Sequence, residues 1–162
     1  AASGKLDSLE QDSSLTDEQR KQVEDMKNKL QSAKDSAQQQ QDNEQKKSER
    51  RQEFSSEMDE LESDDLKISS AANAEDELAM TASSFEQWDE LLSEMYDYLA
   101  GVLNADQYAS EEENYKQWVA ERDSGAENAA GATEDSTQKQ LASYSFKQSY
   151  TKARCYKLLD MM

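Results

Sequence analysis

The sequence contains no proline, no histidine, one cysteine and four glycines in 162 residues. Each scarcity excludes something. Without proline, and with so little glycine, few positions stop a helix or demand a tight turn. Without histidine there is no side chain whose ordinary titration suits acid–base work near neutral pH. The single cysteine, Cys155, rules out an internal disulfide and has no histidine to activate it as a nucleophile. No apolar run approaches the roughly 20 residues that span a bilayer. Large apolar residues are also few. Leu, Ile, Val and Phe total 21 of 162 residues, and with a net charge of −18 this borders on the composition of disordered chains.

The deficit is uneven. Phe54 is the only aromatic before Phe85; both tryptophans, all seven tyrosines and the other two phenylalanines follow. The chain therefore divides near residue 70, and only the later part carries enough apolar mass for a modest core. Ala, Glu, Gln, Lys, Leu and Met abound, all good helix formers. The expected fold class is all-α: a compact three-helix module over 71–162, preceded by a charged, coiled-coil-like helical extension over 15–70 and a flexible leader over 1–14.

Thr16-Asp17-Glu18-Gln19 has the form of a capping box. Val23, Met26, Leu30, Ala33 and Ala37 then trace a thin seam at alternating 3- and 4-residue steps. The stretch QQQQDNEQKKSERRQ (38–52) has no apolar residue, and Phe54, Met58, Leu61, Asp65 and Ile68 resume the seam with a charge inside it. Two readings stay open: one long helix over 16–68, a rod of roughly 80 Å, or a hairpin broken near 38–45. The spacing predicts further helices over about 73–103, 107–124 and from a cap at Thr133 or Ser136 to about 160. Leu78, Ala82, Phe85, Leu92, Met95, Leu99 and Val102 mark the buried stripe of the first. The third has the seam Leu141, Tyr144, Gln148, Thr151, Cys155, Leu158 and Met162. Gly125 is expected to end the second helix in a left-handed conformation, leaving 125–133 as a loop.

Catalysis is not expected, and neither a cofactor nor a metal site is read. Asn104-Ala105-Asp106 opens like a calcium loop but lacks the central Gly and spaced oxygens. Acids outnumber bases 36 to 18, so nucleic acid and anionic lipid are repelled while a basic protein is attracted. The acidic run EMDELESDD (57–65), with Glu57, Asp59 and Glu60, is a solvated helix face or a docking patch for such a partner. Trp118, Arg122 and Asp123, just before the Gly125 and Gly131 loop, are read as a structural joint, with partner binding by Trp118 and the loop as the alternative. A carboxylate such as Asp89 or Asp123 is expected to bridge to Arg154, one turn after Thr151.

Three ordered elements carry a resemblance. Asp89, Leu92, Ser93, Tyr96 and Leu99 fit D-x-x-L-[NS]-x-x-Y-x-x-L. Trp118-x-x-x-Arg122-Asp123 follows, and then Thr151-x-x-Arg154-x-x-x-Leu158. In this order they resemble the LprI-like lysozyme inhibitor family, over about 75–160. The resemblance implies a small helical protein of the bacterial envelope, not an enzyme, exported and lipid-anchored through a residue upstream of Ala1. The opening Ala-Ala-Ser-Gly then corresponds to a processed or trimmed form, and the extension to a stalk. The resemblance also implies cysteines where Ala126 stands, around Tyr144–Lys147 and near Ala82. With those clamps missing, aromatic packing is expected to take over, and Cys155 to be a small core residue. The alternative function is a structural protein that self-associates, or pairs with a partner helix, through its N-terminal seam.

Overall fold

The computed structural model describes residues 16–162, and the leader expected over 1–14 lies outside the described residues. The described residues form four helices: α1 (Asp17–Ile68), α2 (Ala74–Val102), α3 (Ala105–Ala130) and α4 (Ser136–Met161). The fold is all-α. The chain divides into two units, the first ending at Ser48 and the second running from Glu49 to Met162.

In the first unit, Thr16 caps α1 as its sequence pattern requires. Its N–H donates to Gln19 Oε1 at 2.9 Å, and the Gln19 N–H returns a bond to Thr16 Oγ1 at 3.3 Å. Helix continues through the apolar-free stretch from residue 38, so the hairpin alternative is not adopted. Local pairs support it before and within that stretch: Gln31 donates to Asp35 and Gln38 to Asp42, each at 2.7 Å across one turn.

The second unit takes in the last twenty residues of α1 together with α2, α3 and α4. Its core joins Phe54 and Met58 of α1, Trp88, Leu91, Leu92, Met95 and Leu99 of α2, Trp118 of α3, and Cys155 and Leu158 of α4. Three aromatic-bearing helices and a strip of α1 thus supply the apolar area that the composition seemed too thin to provide. The stripe expected on α2 is centred on Trp88–Leu99; its last member, Val102, in the final turn, is exposed.

Side-chain caps start the helices. Asn73 Oδ1 accepts the Asp76 N–H at 2.9 Å to start α2. Asn104 and Gln107 form a reciprocal capping box that starts α3 at Ala105, three residues after α2 ends at Val102. The N-cap of α4 is Asp135, not Thr133 or Ser136, with its carboxylate accepting the Gln138 N–H at 2.9 Å.

A second correction concerns Gly125. It does not end α3, which continues to Ala130, and no described glycine has a positive φ. The loop is therefore shorter than 125–133. Gly125 instead meets the Phe146 ring of α4, which occupies the space a Cβ would need. The glycine serves a close helix–helix approach rather than a turn.

Candidate functional site

Three polar constellations lie between the helices of the second unit. The first is built on Arg154. Its Nε donates to the Tyr96 hydroxyl at 2.8 Å, its Nη2 bonds Glu111 Oε1, and the Tyr96 hydroxyl donates to the same Glu111 oxygen at 3.0 Å. Both charged side chains are more than nine-tenths buried. Burial raises the Tyr96 phenol above its ordinary range, with Glu111 adding to the rise and Arg154 opposing it. The partner of Arg154 is thus Glu111, not Asp89 or Asp123. Glu111 lies on the α3 face that carries Tyr115, Trp118 and Arg122, at steps of 4, 3 and 4 residues, and so meets Arg154 across the helix pair. Removing one partner of such a buried pair costs about 3–5 kcal/mol, because it strands the other charge.

The second is centred on Arg122, which lies inside α3 rather than at its end. Arg122 Nη1 bonds Asp89 at 2.7 Å and its Nε bonds Asp123 at 3.1 Å. The guanidinium also lies 5.4 Å from the Phe85 ring centre and 5.1 Å from that of Trp118. Asp89 and Asp123 remain almost half exposed, so this tie is weaker than the Glu111–Arg154 pair.

The third was legible only in halves. Asp65, the charge inside the α1 seam, accepts from Trp88 Nε1 at 3.1 Å, from Gln148 Nε2 at 2.8 Å and from Ser84 Oγ. Lys152 Nζ lies 3.6 Å away. The two polar residues interrupting two apolar seams, Asp65 and Gln148, therefore meet and satisfy each other, and bind α1 to α2 and α4.

Trp118 sits in a run of rings. Tyr115 stacks on it at 5.8 Å and Tyr150 at 5.6 Å; Tyr96 lies 4.5 Å beyond Tyr115, and Phe146 stacks on Tyr150 at 5.5 Å. Beside it opens a groove of about 370 Å³ between α3 and α4. Leu92, Leu99 and Leu158 are core residues, and Thr151 is fully buried with its hydroxyl lacking a partner among the described residues. Cys155 is buried and bonds the Trp88 carbonyl at 3.7 Å. Burial, reinforced by the Asp89 charge, pushes its thiol up to about 12. Gly131 and the acidic Asp59 and Glu60 are exposed, while Glu57 is half-buried.

No group of three metal-ligating side chains converges among the described residues. The geometry is that of an interlocked helical body with an acidic exterior. A family model described as lysozyme inhibitor LprI matches residues 68–158, more than half of the chain.

The chain belongs to the LprI lysozyme inhibitor family.

No curated protein and no solved structure matches it. The LprI match covers all of α2 and α3 and most of α4, and with them the Arg154 and Arg122 constellations. It begins at Ile68, so Asp65, Phe54 and Met58 are contributed to the body from outside the LprI-matched stretch. LprI proteins are inhibitors rather than enzymes and are associated with the bacterial envelope. No helix among the described residues is long and apolar enough to cross a membrane.

Proposed function

We propose that this protein is an exported, non-enzymatic binding module whose target is a basic, lysozyme-like enzyme. The observation that carries the reading is the LprI match over 68–158; the chemistry of the surface supports it. A groove of about 310 Å³ between the end of α1 and α2 is walled by Glu57, Glu60, Asp64, Glu90 and Glu94 over a floor of Leu61 and Leu91. The carboxyl of Glu57 is raised by burial and by repulsion from Glu94, Glu53 and Glu60, against the pull of Arg50. Crowded carboxylates around an apolar floor suit a Lys- or Arg-bearing segment, and the net charge of −18 steers a basic protein toward it. The first unit, polar and helical, fits a spacer between an upstream membrane anchor and the module.

The test is a cell-wall lysis assay with a basic lysozyme. Added protein should slow lysis at low ionic strength, with the effect fading as salt rises. Reversing Glu60 and Glu90 to Lys should weaken inhibition about tenfold or more without lowering the melting temperature. An unchanged lysis rate at large molar excess in low salt rejects the reading.

A further inference from the structure

We propose that the acidic groove between late α1 and α2 is one half of a longer trough that takes an amphipathic helix of the partner, basic at one end and apolar at the other. This rests on the reading of that groove as the docking face, and adds the form of the segment that enters it.

Asp64 and Gln87 line the acidic groove, and both also line a second groove of about 460 Å³ on the side of the α1–α2 turn. The two grooves are therefore continuous. The helices that wall them run antiparallel, fixed at two levels by the Arg50–Glu94 ion pair and the Trp88–Asp65 hydrogen bond. The α1 wall extends from Glu57 to Ile68 and the α2 wall from Ala79 to Glu94. At 1.5 Å per residue these are roughly 16 and 22 Å, the length of a helix of three to four turns. Leu91, Leu61, Ile68 and Met80 supply apolar surface along that length, and all but Leu91 are partly open to solvent.

Charge divides the trough. At one end stand four glutamates. Arg50 already serves two of them, 3.7 Å from Glu57 and 3.2 Å from Glu94. Glu60 and Glu90, on opposite walls, make no hydrogen bond or ion pair among the described residues. Toward the turn the lining carries one acid, Asp64, and Lys67 pairs it at 2.5 Å. The complementary occupant brings cations to the first end and apolar side chains to the second. Its backbone decides the rest. Both walls are helices, whose N–H and C=O groups are spent internally. An extended peptide would lay unpaired backbone groups on apolar surface with no strand edge to join. A helix pairs those groups within itself and presents side chains at the same three- and four-residue steps as the walls. A second copy of this chain is the poorer occupant, since each copy carries a net charge of −18.

The probe is a capped peptide of about 15 residues, helical in design, with a leucine stripe and lysines flanking that stripe in its first two turns. Two controls keep its charge: one scrambled so that the stripe is lost, and one with proline at its centre. Calorimetry with the 162-residue chain gives the affinity, and circular dichroism the helix gained on binding. Saturable binding with a gain of helix is expected, each control being weaker by about tenfold or more. Glu60→Lys together with Glu90→Lys, both at exposed positions, should weaken binding about tenfold with melting unchanged. Met80→Ala should weaken it about threefold, an effect that charge attraction alone does not give. Binding of the peptide beside an unchanged lysis rate upholds the helix and rejects only a lysozyme as its source. Four results overturn the proposal: no binding up to about 1 mM peptide, even where lysis is slowed; controls that bind as tightly as the helix; variants that are all silent; or a dimer of the chain that the peptide fails to dissociate, which gives the trough to a second copy.

Discussion

At the scale of single residues, the family comparison leaves a specific gap to explain. The resemblance calls for cysteines at Ala126, around Tyr144–Lys147 and near Ala82, and each bridge of that kind contributes typically 2–4 kcal/mol. Ring contacts lie close to these positions instead. Phe85 meets Tyr144 at 6.0 Å, joining α2 to α4, and Phe146 covers Gly125, joining α4 to α3. Ala126 beside it is fully buried. Gly125 carries the sharpest prediction. In an exposed helix, Gly→Ala would stabilise by about 1 kcal/mol. Here the new methyl would collide with a ring held by its stack on Tyr150, so Gly125→Ala should cost about 1–3 kcal/mol. With Phe146→Ala already in place, the same change should return to a gain of about 1 kcal/mol. Urea melts of the four proteins in this cycle read the sign reversal directly; a gain in both backgrounds removes the close approach as the reason for the glycine.

At the scale of elements, what the sequence revealed depended on whether the cause was local. The cap at Thr16 and the existence and order of the helices follow from spacing within a turn or two, and they were legible. The end of α3 was not: Gly125 read as a stop signal because its distant contact with Phe146 leaves no local trace. The partner of Arg154 was hidden for a similar reason. Glu111 is the first of three consecutive glutamates, and only its register with Tyr115 and Trp118 distinguishes it. The role of late α1 was half visible, since Asp65 stood out in its seam and Gln148 in another, but nothing within either helix pairs them across 83 residues. Their meeting leads to a prediction about where the folded body begins. A chain starting at Glu49 should melt cooperatively, close to the 162-residue chain. One starting at residue 70 loses Phe54 and Met58, whose burial is each worth about 2–5 kcal/mol, and also the acceptor of three hydrogen bonds. Against a usual total of 5–15 kcal/mol, that chain should show at most a shallow transition by circular dichroism. Equal melting of the two fragments would mean that α1 contributes nothing to the body.

At the scale of the whole molecule, the missing proline and the helix-forming composition made the all-α class plain, and the order of three weak motifs made the family plain. The charge excess poses a separate question, because its effect on stability can run either way. Exposed ion pairs such as Arg50–Glu53 and Lys67–Asp64 lose strength in salt. The mutual repulsion of 36 acids facing 18 bases also fades in salt, and stability then rises. Burial favours the second effect. The well-buried pair, Glu111–Arg154, is shielded from counterions, while most of the surplus carboxylates are exposed and reached by them. Glu57 has the same sign. Its raised folded pKa, caused first by burial, means that the folded state holds this proton more tightly than the unfolded chain. Protonating it as pH falls through that pKa therefore relieves repulsion at the acidic groove, and counterions at neutral pH act in the same direction. The urea midpoint should climb steadily as sodium chloride rises from about 10 mM to about 500 mM, over which the screening length shrinks from about 30 Å to a few ångström. Urea is the required denaturant, since guanidinium is itself a salt, and chloride is preferred to sulfate, which strengthens apolar burial on its own. A midpoint that falls over this range would place the net stabilisation in the surface ion pairs and make the acidic excess a feature the fold tolerates at no cost.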